Sequence, residues 1–112
     1  MWFDFDNDGW LDLFITSIYE GCHSFLYRNK GDGTFEDVTW LAGVRTENGW
    51  GCAWSDFNRD GAPDLVVASN SGLKLYKNNG NANHWLQIKL TGKNCNRSAI
   101  GARVTIRCKQ GI

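Results

Sequence analysis

The sequence predicts an all-β chain of repeated, stacked antiparallel sheets, and three observations carry that prediction. A nine-residue acidic loop occurs twice, Asp4-Phe5-Asp6-Asn7-Asp8-Gly9-Trp10-Leu11-Asp12 and Asp56-Phe57-Asn58-Arg59-Asp60-Gly61-Ala62-Pro63-Asp64. Each loop runs directly into an apolar, β-branched segment, 11–18 and 65–68, whose composition suits strands. The repeat also extends past the loops. Trp2 precedes the first as Trp54 precedes the second, and Leu26-Tyr27-Arg28-Asn29-Lys30-Gly31-Asp32 matches Leu75-Tyr76-Lys77-Asn78-Asn79-Gly80-Asn81. The loops are offset by 52 residues and the tyrosines by 49. A period of about 50 in an all-strand sequence is typical of propeller blades, because one sheet cannot bury both its faces and must stack on a neighbour.

Strands are expected at 11–18, 25–29, 34–39, 50–55, 64–70, 73–78, 85–91 and 100–108, with no segment of convincing helical period. Lys30-Gly31-Asp32-Gly33 and Asn78-Asn79-Gly80-Asn81 suit tight hairpins that need positive φ. Residues 40–49, where the alternation lapses, form the longer connection between blades. At Asn81-Ala82-Asn83-His84 the second copy abandons the pattern of Asp32-Gly33-Thr34-Phe35. A boundary follows there, between a repeat region at 1–81 and a second segment at 82–112. Because Trp2 aligns with Trp54, Met1 corresponds to Ala53, and the chain is expected to be a slice of a longer repeat protein.

The loops have the composition of calcium sites. Oxygen side chains at loop positions 1, 3, 5 and 9 let one short segment wrap a hard cation that takes six to eight oxygens, and Gly at position 6 permits the sharp turn. Those positions are Asp4, Asp6, Asp8 and Asp12 in the first loop and Asp56, Asn58, Asp60 and Asp64 in the second. The backbone carbonyl of position 7, Trp10 or Ala62, is the natural additional ligand. An EF-hand would need Glu at position 12, where this chain has Ile15 and Val67, so two calcium ions are expected in strand-to-strand turns. Four clustered carboxylates repel one another unless a cation neutralises them. The second loop replaces one carboxylate with Asn58 and adds Arg59, so its site is expected to be the weaker.

The Asp4 to Leu13 run, the Tyr27 to Thr39 run and the Gly49-Trp50-Gly51-Cys52-Ala53-Trp54 lead-in resemble FG-GAP/VCBS-type β-propeller repeats over about the first 80 residues. Asn83 to Leu90 and Asn96 to Ile106 are similar to the start of the ASPIC/UnbV domain, except that Ala99 stands where that pattern usually has Gly. The resemblance implies an extracellular or cell-surface module that binds a protein or a glycan through a calcium-stabilised scaffold, with neighbouring blades in a longer chain and no catalytic chemistry in this piece. Two other readings stay open: a carbohydrate-binding propeller, and the non-catalytic part of a larger secreted enzyme.

Twelve basic and twelve acidic residues cancel, and the basic residues are scattered singly, which argues against a nucleic-acid groove. No run has membrane-spanning length. The four cysteines, Cys22, Cys52, Cys95 and Cys108, lack C-x-x-C spacing and so do not suggest zinc. A Cys95–Cys108 disulfide in an exported chain would contribute about 3 kcal/mol; the alternative is four buried thiols serving as small hydrophobes. His23 and His84 have no nucleophile motif beside them. Of the six tryptophans, Trp40 and Trp50 flank the blade connection and are the candidates for surface recognition, as sugar-stacking aromatics.

Overall fold

A computed structural model describes residues 1–94 and 96–107, and among these it is all-β with antiparallel sheets and no helix. The first sheet is a four-stranded meander of β1 (Trp2–Phe3), β2 (Asp12–Ile15), β3 (Phe25–Asn29) and β4 (Phe35–Asp37), in that spatial order. The second has β5 (Gly49–Ser55), β6 (Asp64–Ser69) and β7 (Gly72–Tyr76), again in sequence order. Each acidic loop lies in the turn between the first two strands of its sheet.

Registers repeat with the sequence. Trp2 pairs Leu13, which pairs Tyr27; Trp54 pairs Leu65, which pairs Tyr76. The side chains of these two equivalent rows meet different surroundings. In the second sheet Leu65 is buried, with Trp54 and Tyr76 packed against the same core as Phe14 and Leu26 of the first sheet. In the first sheet Trp2 is 57% exposed and Leu13 and Tyr27 are half-buried. The opposite faces show the converse: Phe14 and Leu26 are buried, whereas their counterparts Val66 and Leu75 are half-buried and 61% exposed. One face of the first sheet is therefore stacked on the other face of the second. The Trp54 ring stacks on Phe3 at 3.3 Å and meets Phe14 edge-on at 5.9 Å. Burying Phe14, Leu26, Leu65 and Val67 contributes about 1.5–3 kcal/mol each. Phe14, Leu65, Val67 and Trp54 serve between these two sheets, while Tyr27 and Leu75 lie on outer faces.

Residues 38–48 connect the sheets through one helical turn, with Ala42 N–H donating to the Val38 carbonyl. Val38, Thr39, Val44 and Thr46 are buried there, and the Ser24 hydroxyl donates to the Val44 carbonyl while accepting from Thr46 N–H. The Tyr76 hydroxyl lies 2.6 Å from that of Thr46, which ties the second sheet to the connection.

The strands expected at 85–91 and 100–108 do not form among the described residues. Their alternating apolar residues, including Leu86, Ile88, Ile100 and Val104, are exposed. A strand is stabilised by its neighbours, and no sheet edge pairs with these segments. Ala99 adopts φ 51°, the left-handed region that glycine enters without cost. Cys95 and Cys108 lie outside the described residues. Cys22 is exposed and Cys52 half-buried, so neither is a fully buried thiol. Burial pushes the Cys52 thiol up.

Candidate metal centre

Each loop reverses direction through two left-handed residues. These are Asn7 (φ 56°) and Gly9 (φ 91°) in the first, Arg59 (φ 62°) and Gly61 (φ 87°) in the second. The first loop is closed by its own carboxylates, as Asp4 accepts from Asp8 N–H and Gly9 N–H and Asp8 accepts from Trp10 N–H. In the second, Asp56 accepts from Asp60 N–H and Gly61 N–H, and Asp60 accepts from Ala62 N–H. Turning donors inward against carboxylates is what an Asp-rich turn does without help.

One carboxylate oxygen in the first loop is left over. Asp4, Asp6 and Asp8 each present an oxygen within 4.8 Å of the others, and Asp6 Oδ1 is buried with no hydrogen-bond partner among the described residues. Burial holds the Asp6 carboxyl above its usual range, with further upward pushes from Asp8 and Asp4. A buried, unpaired carboxylate oxygen is costly unless a proton or a cation meets it. The donor set is all oxygen, with no sulfur or imidazole, and so fits a hard cation.

Asp12 is placed differently. It is fully buried; Oδ2 accepts from Phe5 N–H at 3.0 Å and Oδ1 from Asn29 N–H at 2.8 Å. Asp64 repeats the arrangement with Phe57 and Asn78 N–H. Position 9 thus clips the loop's first turn to the end of the third strand of its sheet, and burial pushes the Asp12 carboxyl up. The asparagines complete the clip: Asn29 donates its amide to the Leu11 carbonyl and accepts from Gly31 N–H, and Asn78 does the same with Pro63 and Gly80. Sequence reasoning found Asn29 and Asn78 only as matching letters of the repeat; their place two residues after Tyr27 and Tyr76 was the available signal. Trp10 is half exposed, its indole lying over Gly31. Ala62 is buried.

In the second loop the Asn58 amide donates to Asp60 Oδ2 at 2.7 Å and its carbonyl accepts from Asp60 N–H. The Lys77 ammonium lies 4.0 Å from Asp60. A neutral amide and an ammonium here engage the same Asp60 oxygen, and the Asp60 carboxyl sits below its usual range, chiefly through Ala62 N–H.

The two loops touch. Asn7 donates its side-chain amide to the Gly61 carbonyl at 2.9 Å, and Asn78 donates to the Phe5 carbonyl. Asn81 and Asn83, from the segment after β7, both donate to the Asp6 carbonyl. The Trp85 indole lies over Gly61, where any Cβ would overlap it. Trp40 and Trp50 are 74% and 66% exposed and lie away from the loops, Trp50 as the extra residue of a β-bulge in β5. His23 packs its ring against Phe25 at 4.5 Å, and His84 is exposed.

A model of the FG-GAP-like repeat matches residues 4–67 and again 56–104, together most of the sequence. The chain belongs to the FG-GAP-like repeat family. Among curated proteins it is similar to cartilage acidic protein 1 of Xenopus tropicalis, 41% identical over 68 residues, and to that of Homo sapiens, 43% identical over 68 residues. These alignments cover 59% and 58% of this chain and 10% of each relative, so the chain spans about a tenth of the length of the curated relatives it matches. No solved structure matches it. Among the described residues no helix is long and apolar enough to cross a membrane.

Proposed function

We propose that this FG-GAP-like piece is a calcium-stabilised interaction module of an extracellular or cell-surface protein, with no catalytic chemistry of its own. The observation that carries this reading is the Asp4, Asp6, Asp8 oxygen cluster with its buried, unpartnered Asp6 Oδ1. Asp4, Asp6 and Asp8 would hold the first ion, with the Trp10 carbonyl and Asp12 at its margin. Asp56, Asn58, Asp60, the Ala62 carbonyl and Asp64 would hold the second. A bound calcium supplies charge neutralisation and fixes the turn; it performs no chemical step. Extracellular calcium is abundant enough for sites in the range of about 10⁻⁴–10⁻³ M. Stacking between the two sheets supports a propeller blade pair, with further blades and an ASPIC/UnbV-type domain, begun at 82–112, elsewhere in the longer protein.

The test is a thermal melt in chelator and in millimolar calcium. A ligand that binds only the folded state stabilises it by RT ln(1 + [L]/Kd), about 2.7 kcal/mol at 100 times Kd. A melting temperature that rises with calcium and not with magnesium supports the reading; identical melts overturn it.

A further inference from the structure

We propose that the cleft at the end of the second sheet opposite its acidic loop binds an acidic sugar, a uronate-bearing saccharide. Ser55 pairs with Asp64 at the loop end of β5 and β6, and Gly49 pairs with Ser69 at the other end. There the inter-sheet core gives way to a cleft of about 460 Å³, lined by Trp40, Arg45, Glu47, Asn48, Asn70 and Lys74 among others. That volume lies within the usual range of small-ligand clefts, about 300–1,000 Å³.

Arg45 and Asn48, which line it, each hold a buried polar atom without a partner among the described residues, Arg45 Nε and Asn48 Oδ1. Buried polar atoms are nearly always hydrogen-bonded, so two in one wall mark polar groups that the chain by itself leaves unsatisfied. One donates and the other accepts, a pairing that suits hydroxyl groups, which do both. Lys74 is in register with Val67, in the row that faces the core, yet no carboxylate lies within ion-pair distance among the described residues. Glu47 takes one Arg45 nitrogen at 3.1 Å, leaving the cleft one net positive charge. Trp40 supplies an aromatic wall with the Arg45 guanidinium 5.1 Å above its ring. At 74% exposure most of the indole is open to solvent. An apolar sugar face on that ring, hydroxyls on the Asn48 and Asn70 amides, and one carboxylate on Lys74 use the groups that line the cleft. An acidic peptide would answer the charge and could pair with the amides, so hexaglutamate is the competitor that the titration must separate from the sugar.

The inference names a partner class for the proposed interaction module and does not depend on the ions, so the calcium melt and the following titration fail separately. The full chain is titrated in calcium buffer with a glucuronate-containing tetrasaccharide, the same tetrasaccharide with its carboxylates reduced to alcohols, and hexaglutamate. Binding of the uronate form is expected, weakened roughly tenfold or more by carboxylate reduction, by Lys74→Met and by Trp40→Ala. The side-chain amide resonances of Asn48 and Asn70 should shift on addition, a readout that survives any change in variant stability. Absence of uronate binding, equal affinity for hexaglutamate, unchanged affinity in both variants, or shifts confined to other residues would each overturn the proposal.

Discussion

Asp12 and Asp64 have a structural role that the acidic loop alone does not announce. The sequence offers them as metal ligands; in the fold each accepts two backbone N–H groups at a fully buried position. Removing such a carboxylate strands two buried donors. Asp12→Ala is expected to destabilise by roughly 2–5 kcal/mol in the presence of chelator, where no ion contributes. A urea titration measures this, and a change under 1 kcal/mol would refute the clip. The same burial sets a pH dependence. Asp6 and Asp12 have folded-state values raised above the ordinary 3.8. The folded chain therefore binds protons that the unfolded chain does not, and in chelator stability should rise as pH falls from neutral toward 4. Below that, Asp32 and Asp37, whose values are lowered chiefly by the Thr34 and Thr39 hydroxyls, lose their contribution and the trend reverses. Melts from pH 7 to 3 that decline throughout would contradict this.

At the scale of the element, the two loops share a backbone and differ in what fills it. Asn58 and Lys77 already engage Asp60, whereas Asp6 Oδ1 has no partner among the described residues. Asp8→Asn should therefore remove more of the calcium-dependent rise in melting temperature than Asp60→Asn. Calorimetric titration that finds the Asn58 loop to be the tighter site would sink the argument. The repeat, the strand-to-strand setting of the loops and the left-handed Gly9 and Gly61 were all legible in the sequence, because turn chemistry and alternation are local. The roles of Asn29, Asn78 and the cross-loop asparagines were not, since a hydrogen bond from Asn83 to Asp6 depends on which sheets stack. The expected strand at 85–91 failed for the same reason: alternation records a face to be covered and does not supply the partner.

For the whole molecule, the stacking mode leaves two complementary apolar faces outward. The row of Trp2, Leu13 and Tyr27 is the equivalent of the one that the second sheet buries, and Val66 and Leu75 are the equivalents of the pair that the first sheet buries. Copies of the chain can therefore meet head to tail, an arrangement that does not close after two. Sedimentation should give a mass above that of one chain that rises with concentration, and Trp2→Glu with Leu75→Glu should return it to the monomer. A single mass at all concentrations in the unaltered chain would show that the exposed rows do not associate.

The amide bridge from Asn7 to Gly61 joins the two loops, and Asn81 and Asn83 tie the segment after β7 to Asp6. If ion uptake at one loop fixes the backbone on which the other depends, the first binding event carries part of the ordering cost of the second. Filling is then cooperative, and the coupling is reciprocal: each site must raise the affinity of the other by one and the same factor. Asn7→Ala and Asn83→Ala leave every expected ligand in place, yet should flatten a sigmoidal calcium titration toward two independent isotherms. A titration whose shape is indifferent to both substitutions would mean that the loops are neighbours without being linked.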